Sequence, residues 1–124
     1  MSTLRRRVPL NRRHQNSTRR RDVLRAPSHY QWVGGYRCCI PGCDCQNKTE
    51  RHHVRKGIPY EDKGGKSEKP HDKWIVPLCG GPDGHHEEFH RIGHDTFEKK
   101  YGIDLKAVAA HLWQTSPHRR KYEQ

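Results

Sequence analysis

Two pairs of histidines carry the strongest chemical signal in this chain, His52 with His53 and His86 with His90. His86 and His90 are four residues apart, so on a helix their imidazoles lie one turn apart on one face, within reach of one metal ion. That spacing alone is common on exposed helices. An adjacent histidine pair on a preceding strand gives it weight. Three of the four imidazoles can hold a divalent cation while leaving positions open for water and a phosphate oxygen. The fourth, with an ordinary pKa of about 6.5, can take a proton from water at neutral pH. These are the parts that phosphodiester hydrolysis needs. Neutral imidazoles favour zinc or nickel, and phosphate oxygens as further ligands would admit magnesium or manganese.

Cysteine is the second ligand supply. Cys39-x3-Cys43, or Cys38-x4-Cys43, is followed much later by Cys79, and the chain has 5 Cys and 11 His in all. An odd count does not make a fully paired disulfide framework. Reduced thiols in a cytoplasm, free to bind zinc, are expected instead. Only 30% of the residues are apolar. Even with the 11 glycines added, this stays below the roughly 45–50% of ordinary domains. So thin a core calls for a metal staple.

Charge is divided unevenly. Of the net +11, residues 1–37 contribute ten arginines and one acid, or +9, and the rest contribute 15 basic and 13 acidic residues, or +2. The runs Arg5-Arg6-Arg7, Arg12-Arg13 and Arg19-Arg20-Arg21 suit phosphate oxygens through the planar guanidinium fork. The segment has almost no apolar face for a membrane surface, and no stretch could span one. Nucleic acid is the expected partner.

The elements that must position these groups read as a small α+β domain. Residues 1–28 are expected to form a disordered, arginine-rich arm, residues 29–116 the folded domain, and residues 117–124 a charged tail. Trp32, Val33 and Tyr36 begin the fold, and a cysteine knuckle follows at Cys38–Cys45 with Pro41 and Gly42 as turn formers. Glu50 to Arg55 reads as a short strand, 56–72 as a polar loop, and Trp74-Ile75-Val76 as a second strand that Leu78-Cys79 closes. Asp83 is placed to cap a helix carrying His86 and His90, which ends at Gly93. A second helix is expected over Thr96 to Tyr101. Asp104 caps a third, where Leu105, Val108, Ala109 and Leu112 follow the amphipathic template. The order is strand, loop, strand, turn, helix. Adjacent residues on a regular strand face opposite ways, so His52 and His53 can share one cleft only through an irregularity there.

The runs His52-His53-Val54-Arg55, Lys69-Pro70-His71-Asp72-Lys73-Trp74-Ile75-Val76-Pro77-Leu78-Cys79 and His86-Glu87-Glu88-Phe89-His90 resemble the HNH (His-Me finger, ββα-metal) endonucleases. Within them the chain looks closest to the phage and prophage branch that includes the RecA-dependent recombination-enhancement nuclease. The likeness covers roughly residues 36 to 113. It implies a ββα-metal finger with His53 as general base and His52, His86 and His90 as ligands of a catalytic ion. The middle position of the signature is usually an asparagine that orients the base, and here Asp72 is the nearest polar residue. Related nucleases often pair cysteines around the finger, which implies a structural zinc on Cys39, Cys43, Cys79 and His85, with Cys45 or Cys38 as substitutes. The resemblance also implies a recombinase filament (RecA-like) as a partner.

Two functional classes follow. One is a metal-dependent DNA endonuclease whose basic arm binds the backbone. The other is a zinc-stabilised DNA-binding module, such as a phage regulator, without catalysis. His53 separates them, because a histidine left over beside a three-histidine site serves a base and does little for a binder.

Overall fold

A computed structural model of the chain describes residues 24–44, 48–64 and 68–123. Its centre is an antiparallel hairpin of β1 (Thr49–His53) and β2 (Ile75–Cys79), in which His52 faces Val76 and Glu50 faces Leu78. Every residue of β2 is buried. Continuous burial requires cover on both faces, and the sequence supplies it. Val76 and Leu78 pack with Phe97, Leu105 and Ala109, whereas Ile75 packs with Val33 and Leu112. Pro77, without an N–H, is tolerated because a two-stranded sheet has only edge strands. Its carbonyl accepts the Cys39 N–H at 2.9 Å and ties the cysteine knuckle to the hairpin.

Four helices surround the hairpin among the described residues: α1 (Pro27–Val33), α2 (His85–Ile92), α3 (His94–Tyr101) and α4 (Leu105–Thr115). Gly93, at φ 91°, makes the sharp turn between α2 and α3, and Lys100 and Tyr101 of α3 bind Glu88 of α2. That pair of contacts fixes the helix that carries His86 and His90. Asp104 caps α4 by accepting the Ala107 N–H at 3.2 Å, as its position predicts. This is a small α+β fold.

Several boundaries differ from expectation for identifiable reasons. The cap of α2 is Gly84 and not Asp83. A Cβ on residue 84 would lie 2.3 Å from the Cys79 carbonyl oxygen, so the tight turn after β2 admits glycine there and displaces the helix start by one residue. α3 begins at His94 rather than Thr96. The first strand stops at His53 rather than Arg55, and the second starts at Ile75 rather than Trp74 while closing at Cys79 as expected. Trp74 lies outside β2, buried, with its indole N–H donating to Asp62 at 2.8 Å to hold the long loop.

The ends also fold further than a 29–116 domain allows. α1 was not expected. It starts at Pro27, and Leu24 to Ala26 bond to Asp72, so the arm cannot extend to residue 28. At the other end, the Tyr122 hydroxyl bonds the Ser28 hydroxyl at 2.6 Å, and the Trp113 indole N–H donates to Glu123 at 3.0 Å. Those two contacts pin the expected tail onto α1 and α4. The arginines Arg5, Arg6, Arg7, Arg12, Arg13, Arg19, Arg20 and Arg21, and Cys45, lie outside the described residues. No helix among the described residues is long and apolar enough to cross a membrane.

Candidate metal centres and histidine cleft

Alternation along β1 sends Glu50 and His52 toward α2, and Arg51 and His53 toward α1. His52 is buried, with its ring centroid 4.2 Å from that of Phe89, 5.2 Å from His86 and 5.5 Å from His90. The His86 and His90 Nε2 atoms approach to 3.2 Å. Two imidazole lone pairs do not meet at that distance without a proton or a cation between them. For two nitrogens at about 2.0–2.1 Å from one tetrahedral ion, geometry gives about 3.4 Å, close to what is seen. One ligand nitrogen from each of His52, His86 and His90 falls within 4.8 Å of the others. Burial, and then the neighbouring His86 and His90, push the His52 pKa down to about 3. It therefore stays neutral, which is the form that binds a cation.

Glu50 completes this group. Its carboxylate accepts the His86 Nδ1–H at 2.7 Å, leaving Nε2 as the lone-pair nitrogen aimed at His90. Carboxylate support of a ligating histidine orients the ring and raises its basicity. The sequence reading passed over Glu50. Its signal was available: two residues before His52 on a strand, it must share that face.

His53 ends β1, and its Nε2 lies 2.9 Å from Asp72 Oδ1. Asp72 is itself buried, and its other oxygen accepts the Ala26 N–H at 2.8 Å. Burial alone would raise the Asp72 carboxyl, but the His53 and Ala26 hydrogen bonds outweigh it and hold the pKa below the ordinary value. With Nε2–H donated to Asp72, the lone pair of His53 is on Nδ1. A cavity of about 530 Å³ wraps the end of the strand, lined by His52, His53, His86, His90, Arg51 and Lys69 among others. No bulge in β1 is needed for both histidines to reach it, because the strand stops at His53 and the cleft turns the corner. Arg51 lays its guanidinium 4.2 Å from the Tyr30 ring centroid on the α1 side. Arg55, Lys56 and Lys69 also line the cavity, giving it a cationic wall.

The cysteine knuckle converges on the start of α2. Cys79 Sγ lies 3.1 Å from His85 Nδ1, Cys38 Sγ lies 3.4 Å from the same nitrogen, and Cys43 Sγ lies 3.8 Å from Cys79 Sγ. A tetrahedral ion with thiolates at about 2.3 Å has sulfur–sulfur edges of about 3.8 Å and sulfur–nitrogen edges of about 3.6 Å. The sulfur–sulfur distance matches and the sulfur–nitrogen distances are 0.2 to 0.5 Å shorter, so about half an ångström of adjustment lets the four residues hold one metal ion. The cluster corrects the expected ligand set, with Cys38 in it and Cys39 outside. Cys39 spends its backbone N–H on Pro77, and the chain turns so that Cys38 faces His85. Burial, followed by the neighbouring Cys38, raises the Cys39 thiol to about 12.

A third group, His94, Asp95 and Glu98, lies on α3. His94 meets Glu98 at 3.1 Å and Asp95 pairs with Lys56, so ordinary surface ion pairs account for it. His29, which showed no pattern in the sequence, is fully buried, bonded to Ser116 at 3.0 Å and edge-on to Trp113. It is a packing residue between α1 and α4.

No curated protein and no solved structure gave a significant match to the chain. A family model does match, over residues 16–116, a span that includes both metal-ligand clusters and the His53–Asp72 pair. The chain therefore belongs to the family described as protein of unknown function, DUF968.

Proposed function

We propose that this chain is a metal-dependent DNA endonuclease of the HNH, ββα-metal kind. The observation that carries the reading is His53: oriented by Asp72, it opens into the same cavity as the His52, His86 and His90 ligand set. His53 stands outside the three-histidine ligand group, which leaves this carboxylate-oriented imidazole available as a base. In this reading His53 Nδ1 takes a proton from water as the water oxygen bonds to phosphorus and the phosphorus–oxygen bond to the 3′ oxygen breaks. The departing oxygen takes its proton from solvent. Asp72 holds the imidazolium that forms, and Arg51, Arg55 and Lys69 bind the flanking phosphates. A divalent cation on the three histidines supplies stabilisation of the negative charge that builds on the phosphate and leaving oxygens.

The ion class follows from the donors. Three neutral imidazoles suit zinc or nickel, and magnesium or manganese serves if phosphate contributes oxygens. The Cys38, Cys43, Cys79 and His85 cluster suits a structural zinc that contributes folding energy directly. The arginine runs upstream of residue 24 supply non-specific affinity for the DNA backbone. A RecA-like recombinase filament as a partner rests on the family likeness alone.

The test is nicking of supercoiled plasmid by the full chain with EDTA, magnesium, manganese, zinc or nickel, comparing parent with His53→Ala. Metal-dependent nicking in the parent, reduced about 10²- to 10⁴-fold in the variant at unchanged metal content, supports the reading. Equal nicking by both sinks the base assignment. Absence of nicking with every metal, and again with a recombinase filament added, leaves the zinc-stabilised DNA-binding module as the function.

A further inference from the structure

Leu24, Arg25 and Ala26 grip the segment that carries Asp72 at several points. The Asp72 N–H donates to the Leu24 carbonyl at 3.0 Å, and the Ala26 N–H donates to Asp72 Oδ2 at 2.8 Å. Arg25 reaches across with its fork. One guanidinium nitrogen donates to the Pro70 carbonyl at 2.7 Å and the other to the Lys69 carbonyl at 2.8 Å. The nitrogen on Pro70 also stands 3.6 Å from Asp72 Oδ1, the oxygen that holds His53. A planar fork matches two successive carbonyls at fixed spacing, which a lysine ammonium cannot reproduce.

The placement of these contacts decides what they can do. Pro70 is buried, while Lys69 lines the cavity at His53, so Arg25 fixes the short stretch between the cleft and the carboxylate. His53 keeps only 9% of its side chain exposed, and its ring contact with Tyr30 is a loose one at 6.3 Å between centroids. The Asp72 bond is thus what orients the ring, and the Asp72 backbone is set by residues 24 to 26. Arg25 is itself 42% exposed and separated by three residues from the run Arg19-Arg20-Arg21.

We propose that Arg25 is a positioning residue for His53, acting through the Lys69 and Pro70 carbonyls and Asp72. The inference rests on the reading of His53 as the general base. It makes the backbone that leaves the arginine-rich segment part of the support of the catalytic group, so that DNA binding upstream and base geometry share one stretch of chain.

The experiment uses the full chain as parent, Arg25→Ala, Arg25→Lys and His53→Ala. The His53 ring-nitrogen signals are read by ¹⁵N NMR, assigned by their loss in His53→Ala, alongside kcat and KM for plasmid nicking. Arg25→Ala is expected to move the His53 ring signals toward those of a free imidazole. It is also expected to lower kcat about tenfold or more, since small misplacements of catalytic groups are costly, with KM changed by less than about threefold. Arg25→Lys should restore part of the loss, because it keeps the charge but not the fork. Unchanged ring signals and kcat in Arg25→Ala overturn the proposal, whatever its effect on melting temperature. Should Arg25→Ala not fold, Arg25→Lys decides on the same two readouts. Nicking that survives in His53→Ala would remove the base reading instead, and the ring signals would then decide alone whether Arg25 positions this histidine.

Discussion

Glu50 of β1 and His86 of α2 meet at 2.7 Å, and that bond is a direct polar link between the hairpin and the helix at the three-histidine cluster. It fixes the His86 tautomer and sets the side of the ring that faces His90. Glu50→Ala should therefore weaken metal binding at this cluster by about 10- to 100-fold, as removal of such supporting carboxylates does. Titration calorimetry with nickel or zinc checks it, and equal affinity in parent and variant would show that the pair is a surface contact without influence on the ion.

The two clusters should load independently. Zinc-loaded parent is expected to carry two ions per chain by elemental analysis, and His90→Ala one, with the melting temperature little changed. Cys38→Ser should also lose one ion, but with a fall in melting temperature, because the knuckle ion contributes to folding. Cys39→Ser should keep both. A Cys39→Ser protein that has lost an ion would restore the ligand set that the resemblance to related nucleases implies.

Acid should destabilise the packing of α1 on α4 through His29. Burial lowers its pKa from 6.5 to about 4, so the unfolded chain takes up the proton first as pH falls. The stability that neutral His29 contributes is complete above about 6.5 and is lost as pH falls to about 4, amounting to about 3 kcal/mol. His29→Phe keeps a ring against Trp113 but gives up the Ser116 bond, so it should be less stable at pH 7 and have a flatter stability profile between pH 6.5 and 4. Denaturant melts of parent and variant across that window measure the difference. Parallel profiles would remove His29 as the cause.

Removal of residues 1–23 spares the hydrogen bonds of Leu24 and Ala26 to Asp72. It should flatten the salt dependence of DNA binding, each lost phosphate contact reducing the slope by about 0.9. An unchanged slope would mean that the eight arginines in this stretch do not contact DNA. The cut belongs at 23 and not at 28, because the longer deletion removes the Asp72 clasp and the first residues of α1.

How much of this was legible in the sequence depended on how far apart the determining residues lie. The i, i+4 spacing of His86 and His90, the Asp104 cap and the alternation of β1 are local, and each appears in the structure as the pattern predicts. α1 was missed because seven residues, Pro27 to Val33, hold too few apolar positions to show a period; its buried His29 and Val33 are explained by Trp113 and Leu112, some eighty residues away. The choice of Cys38 over Cys39 was equally hidden, since it turns on which neighbour gives its N–H to Pro77. Asp72 was found only as the nearest polar residue to a motif position, whereas its function here depends on Ala26 and Leu24, forty-six and forty-eight residues earlier.

His85 and His86 are neighbours in sequence but face different clusters, one with the three cysteines and the other with His52 and His90. The chain between Cys79 and His86 is therefore measured from both sides. One added residue there would rotate the start of α2 by about 100° and take both imidazoles off target at once. The length of that turn, together with the glycine at 84, is what this chain is least able to change.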